Sequence, residues 1–351
     1  MSLDKLLELE ERRAFEATHR YEDLKFFHVP FDELTGRSDT EAVLRHMAET
    51  GGRVALIGPS GCGKSSVIAS VLGPLVEDLP ERIIPLRIPV AAADETTVTE
   101  PRAFAQHVVR TVVRYASPET FTRAEQAALE AGVADARRRR GRERTGRLSL
   151  GAPRQIADAG IAAELKSGGE EIEQRLGAGD VVPELSCMIA IFRSHDREPF
   201  LVIDDSDTWL RVGTADFTHV ANAFFTRVVR MLAKELDSGL VIAVHDHYLE
   251  LDGYREARAL LSTGIQIPHL DRPEAAVARI LARRIELAEV DADLAEAFQP
   301  ESVVQLANVY KSGRNLRRVL ATVDRSVQHA CSDGVAPVTP ELVRTALAEL
   351  A

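Results

Sequence analysis

The sequence predicts a three-layer α/β core built on a parallel sheet, followed by a small all-α domain. Three observations lead there. Short continuous apolar runs, "VALI" at 54–57, "FLVI" at 200–203 and "LVIAV" at 240–244, read as strands covered on both faces. The first run breaks into a glycine-rich turn, "GPSGCGKS" at 58–65, and then into the helix-like stretch "SSVIASVLGPL". After residue 272 no strand pattern remains, and four helical segments follow one another.

In chain order, residues 3 to about 25 carry apolar residues at three- and four-residue spacing among many charges, which predicts an amphipathic helix needing a partner surface on the core or on a neighbour. A helix from Thr40 to Glu49 is closed by Thr50-Gly51-Gly52 and leads into the strand "RVALIG". "RIIPLRIPV" (82–90) is a strand whose prolines suit a sheet edge or a strand end. "PFLVID" (199–204), "GLVIAVH" (239–245) and "GIQIPHL" (264–270) complete the set. The helices "PEAAVARILARRIELAEV", "PESVVQLANVY", "GRNLRRVLATVDRSVQHA" and "TPELVRTALAEL" are each opened or closed by Pro, Gly, Ser or Asp. The expected domains are an N-terminal arm at 1–30, the α/β core at 31–271 with a long insertion at about 91–185, and a helical lid at 272–351.

Composition narrows the function classes. Forty-three basic and fifty-four acidic residues leave a net charge of −11 over 351 residues, so any contact with DNA must be local. Cys62, Cys187 and Cys331 are far apart and form no CxxC pair, which predicts neither a disulfide framework nor a zinc site and fits a reducing cytoplasm. The N-terminus is charged throughout and no run of eighteen apolar residues exists, so a cytoplasmic protein without a membrane partner is expected.

Gly58, Gly63, Lys64 and Ser65 satisfy GxxxxGK[ST] between a strand and a helix. In such a loop the glycines let backbone N–H groups converge on phosphate oxygens, and the helix N-terminus adds favourable partial charge. Gly58, Pro59, Ser60, Gly61, Cys62, Gly63, Lys64, Ser65 and Ser66 are the expected nucleotide-binding residues, with Cys62 a spacer. Lys64 is suited to the β- and γ-phosphates and Ser65 to Mg²⁺. "PFLVIDDSDTW" then delivers Asp204 at a strand end as a second Mg²⁺ ligand, with Asp205 as a water-orienting carboxylate or general base. Asp205 also reads as a turn residue, Asp207 as a helix cap and Trp209 as packing.

From about Phe31 onward the chain resembles the AAA+ and related ASCE-type P-loop ATPases, including those of origin-recognition and KAP/STAND-like type. The resemblance rests on the order of its motifs: an entry segment with Gly36 and Arg37, the Walker A loop, the Walker B aspartates, a strand ending in polar residues, and a helical lid. It implies ATP and Mg²⁺ as cofactors, slow ATP hydrolysis and a homo-oligomer. It implies a sensor 1 role for His245, followed by Asp246, or else a structural histidine there. It implies a sensor 2 arginine in "SGRNLRRVL", with Arg317 first and Arg314 or Arg318 as alternatives, and an arginine finger at Arg258 or Arg255. The Walker B pair is Asp-Asp where the family usually has Asp-Glu, so the shorter carboxylate predicts slow turnover.

The insertion holds "RRRRGRERTGR", seven arginines in eleven residues. Arg137, Arg138, Arg139, Arg140, Arg142 and Arg144 could neutralise DNA phosphates or pair with the chain's own excess carboxylates. Two uses of a nucleotide lever therefore compete. One is a DNA-dependent loader, transposition or defence ATPase. The other is a STAND-like switch that controls a separate protein effector without DNA. A small-molecule kinase is disfavoured by the lid and the sensor-like string. Without an NKxD-like string, adenine is favoured over guanine as the base.

Overall fold

The structure, a computed structural model, describes residues 3–36, 38–79, 82–88, 95–115, 123, 127, 183–194, 196–206, 210 and 217–350. Five parallel strands form its sheet: β1 (Arg53–Ile57), β2 (Ile83–Ile88), β3 (Glu198–Ile203), β4 (Gly239–Val244) and β5 (Thr263–Gln266), in the order β2-β3-β4-β1-β5. β4 is buried along its whole length and separates β1 from β3, in register Ala55↔Ile242 and Ile203↔Ile242. Pro85 lies in β2, an edge strand, where a missing N–H costs no ladder bond on the open side.

Helices cover both faces. One face carries α4 (Thr40–Glu49) and α5 (Lys64–Asp78), and beyond them the lid. The other carries α6 (Glu95–Thr99), α7 (Pro101–Tyr115), α8 (Pro183–Ser194), the helix α9 (Phe217–Ala223) continuing through the π-helical Phe224–Val229 into α10 (Arg230–Glu235), and α11 (Asp252–Arg258). Residues 95–115, which the sequence reading assigns to the insertion, are part of this layer. Phe104 and Val108 of α7 are fully buried there, and Phe104 meets Phe224 edge-on at 6.0 Å.

The lid comprises α12 (Pro273–Leu287), α13 (Leu294–Ala297), α14 (Pro300–Gly313), α15 (Leu316–Asp333) and α16 (Pro340–Glu349). Proline opens α12, α14 and α16, where its fixed φ suits the first turn and its missing N–H is not needed. Gly334 at φ +66° closes α15. The N-terminal helix is shorter than expected. α1 spans Leu3–Glu11 and stops where Arg13 takes φ +53°; a 3₁₀ turn (Tyr21–Asp23), α2 (Leu24–Phe27) and α3 (Phe31–Thr35) follow. Leu6 and Leu9 are fully buried against the lid's own core, and Arg12 Nη1 donates to Ala288 O at 2.8 Å. This helix therefore finds its partner surface in its own chain.

Candidate functional site: a phosphate loop under a helical lid

The loop after β1 and the carboxyl end of β3 meet in one cleft. The loop leaves β1 at Gly58, whose N–H donates to Val244 O of β4 at 3.0 Å. A side chain at Gly58 would place a Cβ 2.6 Å from Cys62 Sγ and 3.2 Å from Ile267 Cβ, so glycine is needed for closeness. Gly61 and Gly63 have φ +73° and +107°, and Gly63 is the N-cap of α5. Lys64 is buried, and its amine donates to Gly58 O at 2.7 Å and Pro59 O at 2.9 Å. The loop thus holds its lysine on its own carbonyls, within the same cleft that Ser60, Ser65 and Ser66 line.

Across from the loop, β3 ends in Asp204. The residue is 2 % exposed, one carboxylate oxygen accepts the Asp205 N–H at 2.8 Å, and Ser65 stands beside the carboxylate. Its Oδ2 is buried with no hydrogen-bond partner among the described residues. Burial pushes the Asp204 pKa up, opposed by the neighbouring Ser65 hydroxyl, the Asp205 N–H and the nearby charge of Arg87. A buried anionic oxygen without a donor, next to a serine at the start of the phosphate-loop helix, is what a hard divalent cation fits. Asp205 is exposed at the cleft and sits at φ +57°, a left-handed conformation that turns the chain sharply off the strand end. Ser206 anchors that turn by donating to Ala243 O of β4.

The lid sits directly on the loop. Leu316 N and Arg317 N, at the first turn of α15, both donate to Gly61 O, at 2.9 and 3.3 Å. Asn315 caps the same helix by accepting from Arg318 N at 2.9 Å. Three of the four N–H groups that a helix N-terminus leaves over are thereby used. A Cβ on Gly61 would stand 2.1 Å from Asn315 Oδ1 and 3.1 Å from Arg317 Cβ. Gly61 is not one of the fixed motif positions, yet both its dihedral and the lid require it.

Two solved structures align with this chain over most of its length. The Aeropyrum pernix ORC2 protein in its ADP form aligns with TM-score 0.52 at 13% identity over 96% of this chain and 72% of that one. The Aeropyrum pernix ORC1 protein in complex with DNA aligns with TM-score 0.50 at 15% identity over 92% of this chain and 66% of that one. The chain has an origin-recognition-type AAA+ fold. No family model matches the sequence, and no curated protein matches it.

Against the AAA+ fold the expected site residues separate into groups. Ser60, Gly61, Gly63, Lys64, Ser65, Ser66, Asp204, Asp205 and Arg317 line one cleft. Arg317 is exposed on α15, whereas Arg314 ends α14 in a left-handed conformation (φ 53°) and Arg318 is exposed one residue past Arg317; neither lines the cleft. His245 follows β4, buried, between the loop strand and the Asp204 strand, but it does not line the cleft either. Its Nδ1 lies 3.1 Å from His247 N and 2.7 Å from Asp246 Oδ1, so it serves its own 3₁₀ turn (Asp246–Tyr248). Arg258 lies on α11 beside Gly264 of β5 and donates to Leu261 O at 3.3 Å; exposed Arg255 pairs with Asp252. The arginine tract 137–147, Asp207, Trp209 and Arg37 lie outside the described residues.

Three cleft features escape motif reading. Arg284 of α12 is 4 % exposed, lines the cleft, and binds the N-terminal segment through Ala14 O (3.3 Å), Glu16 O (2.8 Å) and His19 Nε2 (3.0 Å), above the Phe27 ring. Burial lowers its pKa to about 10. The sequence does carry a signal: Val277, Leu281 and Ile285 are buried at helical spacing, and Arg284 falls on that stripe. Tyr21 stacks under Arg87 at 3.9 Å, near Asp204. His28 joins Ser66 to Glu41. Neither of these last two leaves a local pattern, since each joins segments distant in the chain.

Proposed function

We propose that this chain is a Mg²⁺-dependent ATPase that couples its nucleotide state to the seating of its own lid, and that it works as an oligomer on DNA. The reading is carried by the buried Asp204 carboxylate, which stands beside Ser65 and is left with one bare oxygen near the phosphate loop. Ser65 and Asp204 would hold Mg²⁺, which, when bound, supplies neutralising charge for phosphate oxygens. Lys64 exchanges its loop carbonyls for the phosphates, and exposed Asp205 orients water and accepts its proton. Leu24, Phe27, Val29, Ile280 and Leu320 offer the adenine an apolar wall. Arg317 reads the terminal phosphate from the lid side, and His245 and Arg258 retain the sensor 1 and finger roles in this proposal.

Nucleotide use is supported by the ADP and ADPNP named for the Aeropyrum pernix ORC2 structures, and DNA by the complex named for ORC1. The local arginine tract supports DNA from the sequence side. The direct backbone link from Gly61 O to the lid favours a second reading, a slow switch for a protein effector. ATP turnover across protein concentration, with and without duplex DNA, decides between them. A rate that rises with both, and that Lys64→Ala and Arg258→Ala abolish, supports the DNA-dependent assembly. A flat, very slow rate with tight nucleotide retention contradicts it and selects the switch.

A further inference from the structure

His28 lies in the extended link between α2 and α3, nearly buried, with both ring nitrogens engaged. Nε2 is 2.9 Å from Glu41 Oε1, on the first turn of α4, and Nδ1 is 3.0 Å from Ser66 Oγ, on the first turn of α5. The same Glu41 oxygen accepts the Phe31 N–H at 2.9 Å. Burial works against the Glu41 charge, but the bonds from His28 and Phe31 prevail and hold its carboxyl below the usual range. An ionised Glu41 can only accept, so Nε2 carries a proton.

That proton decides what Ser66 can do. In the neutral ring Nδ1 has only a lone pair, and the Ser66 hydroxyl must spend its single proton on it. The oxygen then presents lone pairs alone to the cleft it lines, which an anionic phosphate repels. In the imidazolium Nδ1–H donates to Ser66 Oγ, and the hydroxyl proton is released for a phosphate oxygen. We propose that His28, held by Glu41, is a positioning residue for phosphate binding, taking a proton from solvent onto Nδ1 as the nucleotide enters and so turning Ser66 into a phosphate donor. The proposal rests on the nucleotide reading above.

The charges around the ring bear on its sign. Glu41 on α4 favours the imidazolium, as do Asp204 and Asp205 across the cleft. Lys64 on α5, Arg284 on α12 and Arg317 on α15, which line the same cleft, oppose it, and a bound phosphate would offset their charge. Lys25 of α2 and Glu77 of α5 neutralise one another, and Arg283 of α12 is bonded to Phe26 O. The entering anion therefore supplies the extra stabilisation that charges the ring, and by linkage the charged ring tightens the anion.

Calorimetric titration of the full chain with Mg²⁺-ADP near pH 7, in two buffers of different ionisation enthalpy, counts the protons taken up. The wild type is expected to take up a sizeable fraction of one proton and to lose affinity roughly fivefold per pH unit above neutrality. His28→Gln, which keeps hydrogen-bonding capacity, is expected to lose that uptake and that slope, and Ser66→Ala, which keeps the buried His28–Glu41 pair, to lose the part of both that the Ser66 hydrogen bond contributes. Proton release by ADP itself is common to all three and cancels. ADP binding with the same uptake in all three proteins overturns this proposal and leaves the nucleotide reading standing. No ADP binding by the folded wild type overturns both.

Discussion

The body of the lid and its seat on the phosphate loop obey different rules. In the body, α13 carries a complete capping box between Asp293 and Glu296, prolines open three helices, and Val323, Val327 and Leu306 fill a dry interior. At the seat, Gly61 and Asp205 have positive φ, Asp204 has a bare buried oxygen, and Arg284 has a buried Nε with no hydrogen-bond partner among the described residues. The first region is built largely from locally stabilising caps and apolar packing. The second keeps costly groups that packing alone would have removed, and gathers them in one cleft. Positive φ and unpartnered buried atoms occur in the lid's body too, at Glu289 (φ 53°) and Gln305 Oε1; what sets the seat apart is that a buried carboxylate and a buried guanidinium meet there in one cleft.

Substitutions can break that contrast. Arg284→Met deletes the cation that holds Ala14, Glu16 and His19, leaving their acceptors without a donor, and is expected to cost about 3 kcal/mol in urea unfolding. Gly61→Ala forces a side chain into φ +73° and onto Asn315, and should cost about 2 kcal/mol while loosening the lid, read by faster amide exchange at Leu316 and Arg317.

A matched pair sharpens it. Asn315→Ala and Asp293→Ala each remove an N-cap and should each lower stability by about 1 kcal/mol. Only Asn315→Ala is expected to change nucleotide affinity, by severalfold, because only that cap lies on the phosphate loop. Equal effects of both caps on affinity would remove the distinction between body and seat.

The smallest expected effect has the opposite sign. Asp204 has its pKa raised in the fold, so its charged form costs stability, and that cost appears as pH rises above the ordinary carboxylate range. Asp204→Asn keeps an oxygen for the Asp205 N–H and removes the charge. It should raise the melting temperature at neutral pH by roughly 2 °C, with the gain fading at acidic pH where the wild-type carboxyl is neutral too.

How much was legible in advance follows from range in sequence. The loop, the Asp204–Asp205 strand end and the helical lid are short contiguous patterns, so the parallel sheet and the loop side of the cleft could be read directly. The edge position of β2 was readable from Pro85 for the same reason. The Gly61 contact with α15 joins residues more than 250 positions apart, and the His28–Glu41–Ser66 chain joins three elements; no periodicity records either. The N-terminal helix was read too long because mixed apolar spacing continues past Glu11, while the chain turns at Arg13 to bring residues 14–31 over the cleft. His245 has the chain position of a sensor, and its Nδ1 also accepts from His247 N within its own turn, an engagement that only the fold reveals.

The most direct test of the account is ATP turnover by Asp204→Asn beside the wild type, each checked for its melting temperature. The account predicts a variant at least as stable as the wild type that has lost turnover by about 100-fold or more. A stable Asp204→Asn protein that hydrolyses ATP at the wild-type rate would contradict it.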